Sequence, residues 1–308
     1  MSASDAELII PRQQWLEQRQ AYRTRLQPWV TDRLRRGSRG EKHPVYDFLF
    51  EYYSFPATHL LRWSPGVGIA LERPAAEELD WPRWFVHEGG RAWLPASAFP
   101  CHRLDFLRWA SDFLETTLDR EPFFGCFGLH EWAMVYQEEQ VRHPQVPLRL
   151  SRAEINAVVE AGTLRCTHYD AFRFFTPAAV PLNRIALTRE STLDHDQPGC
   201  LHVTMDLYRF AYKIAPFSSS AVLADAFDLA RSAREIDMRA SPYDLSAFGF
   251  TPIPIESRSG RDEYVAAQRE LAARAVPIRQ ELLCQYRRLL RKRLANMSQM
   301  SIPSTMTI

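Results

Sequence analysis

The chain has 308 residues, of which 46% are hydrophobic, 24% charged and 12% aromatic. That is long enough for a large core and ordinary for a globular protein. Thirty-eight Lys and Arg against 37 Asp and Glu leave a formal net charge of +1, so no whole-protein field attracts polyanions. The N-terminus lacks a basic region followed by an apolar run, and no stretch approaches about 18 consecutive apolar residues, which predicts a cytoplasmic protein with no membrane partner. Five cysteines without a CxxC pair fit a reducing compartment and exclude a disulfide framework or a four-thiolate zinc site.

In chain order, residues 12–36 have the spacing of a basic amphipathic helix interrupted near Pro28. GSRGEKHP (37–44) reads as a loop, and VYDFLFEYYSFPATHLLRW (45–63) as aromatic helical pieces broken before Pro56. Short strands are expected in GVGIALERP and WFVHEGGRAWLP, with Gly89-Gly90 as the hairpin turn. Helical periodicity returns over 103–118, and Ser151 with Glu154 forms a capping box for a helix closed by Gly162. Further helices are predicted over 200–214, 220–239 and 261–295, the last with Pro277 inside. The expected fold is mainly α: a single large helical domain over 1–296 with a small β-hairpin insert at 66–95, followed by a disordered tail over 297–308.

Three segments repeat one chemistry. GCFGLHEWAMVY (125–136), RCTHYDAFRFF (165–175) and GCLHVTMDLYRF (199–210) each join a histidine to a carboxylate: His130 with Glu131, His168 with Asp170, and His202 with Asp206. Four residues apart on a helix, His202 and Asp206 share a face. Imidazole and carboxylate oxygens suit non-haem iron, manganese or zinc. We therefore expect these six residues to ligate a divalent metal, iron first, with the three imidazoles around one cavity and mutually within about 12 Å. Trp132, Tyr169 and Phe172 are expected to supply aromatic walls for a small organic or nucleobase-type substrate. Cys126, Cys166 and Cys200 read as outer supports of the site or as small buried fillers.

REIDMRASPYD (234–244) gathers Arg234, Glu235, Asp237, Arg239 and Asp244 at a helix end. Most of this reads as a salt-bridged terminus. Within it Asp237 is a candidate catalytic carboxylate, and Arg239 or Arg173 a clamp for an anionic substrate group. Asp194-His195-Asp196 lies in LDHDQPGC, whose composition predicts a turn. No GxSxG elbow, P-loop or full dinucleotide fingerprint is present.

HLLRWSPGVGIAL resembles the Pro-Gly-Val-Gly core of the helix-hairpin-helix of DNA glycosylases, in which glycine amides bind a phosphate. Asp80 would be its carboxylate, but ERPAAEELDWPRW does not read as a second helix, and the match is read as mimicry. More broadly, HPVYDFLFEYYSFPATHLLRW, FGCFGLHEWAMVY, RCTHYDAFRFFTPAAVPLNR, QPGCLHVTMDLYRFAYK and REIDMRASPYDLS resemble a bacterial family labelled 3-methyladenine DNA glycosylase, over roughly residues 40–280. The resemblance implies release of alkylated bases from DNA, with no residue roles to carry across. Two readings follow: a metal-dependent oxygenase or hydrolase, preferred, and a metal-free base-excision glycosylase stacking its base on aromatics. DNA is the less favoured partner, because the basic runs at 19–42 and 287–294 read as solvated helix faces.

Overall fold

The computed structural model describes residues 6–139, 141 and 144–300, and for 298–300 only the backbone. It is mainly α with one small sheet. The sheet comes first. Strand β1 (Leu8–Ile10) pairs in parallel with β2 (Ile69–Glu72), Leu8 opposite Ile69. Antiparallel to β2 runs β4 (Arg91–Trp93), which also pairs with β3 (Val86–Glu88), giving the order β1-β2-β4-β3. The β3–β4 turn is the predicted Gly89-Gly90, with φ of 58° and 72°. Two consecutive left-handed residues suit a tight hairpin, and only glycine adopts them without strain. The sequence pattern did not mark β1; three residues are too few for a legible alternation.

The Pro-Gly-Val-Gly stretch is a packing device. A Cβ on Gly66, whose φ is +85°, would lie 2.9 Å from the backbone nitrogen of Ser219. Val67 N donates to Phe217 O at 3.1 Å, and Gly66 N to Ser64 Oγ. These amides are committed to the protein itself. Asp80, for its part, accepts from Trp63 N at 2.8 Å and from Arg23.

Helix α1 (Arg12–Ser38) keeps Pro28 within it and buries Trp15, Tyr22, Leu26 and Val30. The aromatic segment after it yields one short helix, α2 (Phe48–Glu51), and a 3-10 turn over Ala57–Leu61. Next come α3 (Leu104–Asp119), α4 (Leu129–Ala133) and α5 (Arg152–Ala161). The capping box is formed: Glu154 N donates to Ser151 Oγ, and Ser151 N to Glu154 Oε2 at 2.8 Å. Gly162 follows with φ −80°, extended rather than left-handed, so it ends the helix without the expected left-handed cap.

The second half holds α6 (Tyr169–Phe172), α7 (Thr192–His195), α8 (Leu201–Lys213), α9 (Ser220–Arg239) and α10 (Arg258–Met300). Helix α8 is buried almost all round and packs on α9, while α10 lies against α3, α8 and α9. Helix α10 runs to Met300, past the predicted end near 295. The rest of the predicted tail, 301–308, lies outside the described residues. Inside this core Arg279 of α10 is fully buried, and its three guanidinium nitrogens have no hydrogen-bond partner among the described residues. No helix among the described residues is long and apolar enough to cross a membrane.

Candidate functional site

Three helices, α4, α6 and α8, bring the three histidine segments together. Gly128, with φ +70°, turns the chain into α4, whose second residue His130 points inward and is buried. His168 sits at the N-cap position of α6, in extended conformation, and His202 on the first turn of α8. The His130 and His202 ring centroids are 4.6 Å apart and nearly perpendicular; those of His168 and His202 are 5.4 Å apart and stacked. The three imidazoles therefore meet in one buried cluster.

Their carboxylate partners differ from the sequence neighbours. His130 Nε2 lies 2.8 Å from Asp237 Oδ1, on the last turn of α9. His168 Nδ1 lies 3.1 Å from Asp196 Oδ2. Of the expected turn Asp194-His195-Asp196, the first two residues form the end of α7, and Asp196 drops inward, 1% exposed, to hold His168. The hydrogen bonds that anchor His130 and His168 leave the His202 ring out. His130, His202 and Asp237 each offer a ligand atom, all within 4.8 Å of one another.

The remaining predicted ligands bind guanidinium groups. Glu131 Oε1 accepts from Arg234 Nη1 at 2.7 Å, and the same nitrogen donates to Asp237 Oδ2 at 2.6 Å. Asp206 accepts from Tyr53 Oη at 3.1 Å and pairs with Arg209 at 2.6 Å. Asp170 pairs with Arg209 at 3.1 Å and Arg173 at 3.0 Å. Sequence spacing placed His202 and Asp206 on one face, but four residues of rise carry Asp206 to its own ion pair. REIDMR splits as well. Arg234 and Asp237 are buried, not solvated, while Arg239 turns outward to Thr251 O and Glu263 and takes no part in the site.

Burial and neighbouring charge set the protonation states. Burial opposes charge on His130, but the adjoining Asp237 carboxylate prevails and raises its pKa to about 10. His168 is also raised, with Asp196 overcoming burial. Asp237 is held low against its burial by His130 and Arg234. His202 is pushed well below the ordinary range by burial and by His130, so it is neutral, with one ring nitrogen free to act as a ligand. Burial raises Asp206, and it drives the Cys166 and Cys200 thiols up, which makes them inert fillers.

A cavity of about 540 Å³ reaches this cluster through His202, Glu131 and Arg234. Its aromatic wall is Phe48, Tyr52 and Phe174, with Phe48 and Tyr52 stacked at 4.7 Å. The expected aromatics lie elsewhere. Trp132 is fully buried and donates its indole N–H to Ala240 O; Phe172 packs on Phe175; Tyr169 lines a second cavity. Two of the three rings that line this cavity, Phe48 and Tyr52, come from the aromatic run VYDFLFEYYSF.

No family model matches the chain, and no curated protein or solved structure matches it either.

Proposed function

We propose that the chain is a metal-dependent enzyme whose metal is held by His130, His202 and Asp237, acting on a small organic or nucleobase-type substrate in the adjoining cavity. The observation that carries this reading is the buried trio of two imidazoles and one carboxylate with donor atoms within 4.8 Å. Donors about 2.1 Å from one ion are at most about 4.2 Å apart, so a small side-chain rotation suffices. Two histidines and one carboxylate are the donor set of non-haem iron oxygenases, which places iron ahead of manganese or zinc. Such an ion, when bound, would supply activation of dioxygen or water.

The chain's own residues have definable tasks. Arg234 holds Asp237 and Glu131 in place through one nitrogen, fixing the carboxylate that faces His130. Asp196 fixes the His168 ring, which in turn stacks on His202 and sets its orientation. Phe48, Tyr52 and Phe174 favour a planar substrate and exclude water from the trio. In the test, protein purified without chelator is assayed for metal per chain, and for melting temperature with Fe(II), Mn(II) or Zn(II). A wild type that is metal-free and shows no metal-dependent stabilisation defeats the proposal.

A second reading is a glycosylase for 3-methyladenine-type bases. The stacked Phe48–Tyr52 pair beside the Glu131 and Asp170 carboxylates favours it. Against it, much of both basic runs is paired with carboxylates: Arg25 with Asp225 and Asp228, Arg36 with Asp47, Arg287 with Glu115, Lys292 with Glu7. Release of free 3-methyladenine from alkylated duplex by metal-stripped protein would reverse the order of the two readings.

A further inference from the structure

We propose that a second cavity, lined by His168 and Asp170, binds a phosphomonoester carried on a planar ring. This cavity, about 490 Å³, lies between α3, α6, α8 and the segment around α7. It needs no metal, and the proposal stands apart from the reading of the histidine trio.

Charge makes the first argument. Arg173, Arg189, Arg209 and Lys213 all line the cavity. The carboxylates facing them are Asp170 and, through Arg209, Asp206. His168 is already matched by Asp196. Cations therefore outnumber the carboxylates that line the cavity, and among the described residues neither Arg189 nor Lys213 forms a salt bridge, although Arg189 feels its neighbour Glu190 and Lys213 feels Asp170 and Asp206. A phosphomonoester carries about −1.5 to −2 at neutral pH, so it would neutralise this excess. Guanidinium forks and an ammonium are the groups that recognise such oxygens.

Shape makes the second. Phe106 and Trp109 are three apart on α3 and so share a face, which also borders the cavity. Lys213 lies 5.2 Å from the Phe106 ring centroid, so the cation and the aromatic surface adjoin. The volume exceeds what a free phosphate needs and suits a ring with its phosphate attached. Of the two arginines expected to clamp an anionic group, Arg239 and Arg173, only Arg173 lines this cavity, beside three further cations.

The experiment is calorimetric titration of the full chain, without added metal, using phenyl phosphate, inorganic phosphate, benzoate and phenol. Phenyl phosphate should bind saturably, inorganic phosphate and benzoate at least about 10-fold more weakly, and phenol not at all. Each contact to a charged group is worth enough that Arg189→Ala and Lys213→Ala should each weaken phenyl phosphate by about 10-fold. Because neither side chain forms a salt bridge, both variants should remain folded with melting temperatures within a few degrees of the wild type, Lys213→Ala losing only its contact with the Phe106 ring. Trp109→Ala should weaken phenyl phosphate while leaving inorganic phosphate unchanged. The proposal is overturned if phenyl phosphate binds more weakly than about 1 mM, or equally well to an Arg189→Ala/Lys213→Ala double variant. Benzoate binding as tightly as phenyl phosphate would overturn the dianion assignment.

Discussion

His202 separates a metal role from a packing role better than its neighbours do. Asp237→Ala would take from the buried Arg234 one of its two carboxylates and from His130 its partner, and so destabilise the fold whatever the site does. His202→Ala breaks no anchoring hydrogen bond of the cluster, so it should cost only about 1–3 kcal/mol in urea unfolding. It should nevertheless abolish stoichiometric metal; unchanged metal content would remove His202 from the ligand set. Protons give a second measure. With its pKa raised to about 10, His130 must lose a proton before ligating. Apparent metal affinity should therefore rise about tenfold per pH unit between pH 6.5 and 8.5, read by chelator competition. In the metal-free protein the sign is opposite. The charged His130–Asp237 pair contributes fully below the unfolded histidine value near 6.5, and that contribution is lost as pH rises through about 10. The melting temperature without metal should fall over that window. At this scale the three histidines were legible, because an imidazole in an apolar aromatic segment is unusual. Asp196 and Arg234 were not, since their partners lie 28 and 103 residues away.

Among the elements, those long enough to repeat a period or framed by a cap were the ones read correctly: α1, which runs on through Pro28 without the expected interruption, α3, the capped α5, α8, α9 and most of α10. The four- and five-residue helices α4, α6 and α7 carry His130, follow His168 and precede Asp196, and are too short to show a period. Their placement comes from tertiary packing rather than propensity. The Pro-Gly-Val-Gly stretch likewise has a meaning that only its neighbour supplies, the start of α9. Gly66→Ala would combine a left-handed φ with a Cβ driven into the Ser219 backbone. Unfolding in urea should show a loss of about 2 kcal/mol or more, the sum of strain and displaced packing. A loss below about 0.5 kcal/mol would mean that the two segments separate freely.

For the molecule as a whole, composition set the class correctly, and the near-zero net charge resolves into dense ion pairing rather than a basic face. Arg279 departs from that economy. Burial lowers its pKa to about 10, with no compensating partner among the described residues. Replacing it by leucine should raise stability by at least about 1 kcal/mol, because a desolvated, unpaired cation is removed. A destabilised Arg279→Leu would show that the guanidinium has a favourable role after all. The burial of α8 and α9 also has a consequence in time rather than distance. Helix α8, buried along nearly its whole length, and the core-facing side of α9 exchange their amide hydrogens only when the whole chain opens, whereas the edge strand β1, with Leu8 and Ile9 exposed, can fray alone. Deuterium uptake should therefore run from seconds at β1 to the global unfolding time at residues 203–237. The slowest clock in the molecule then belongs to the helices that carry His202 and Asp237.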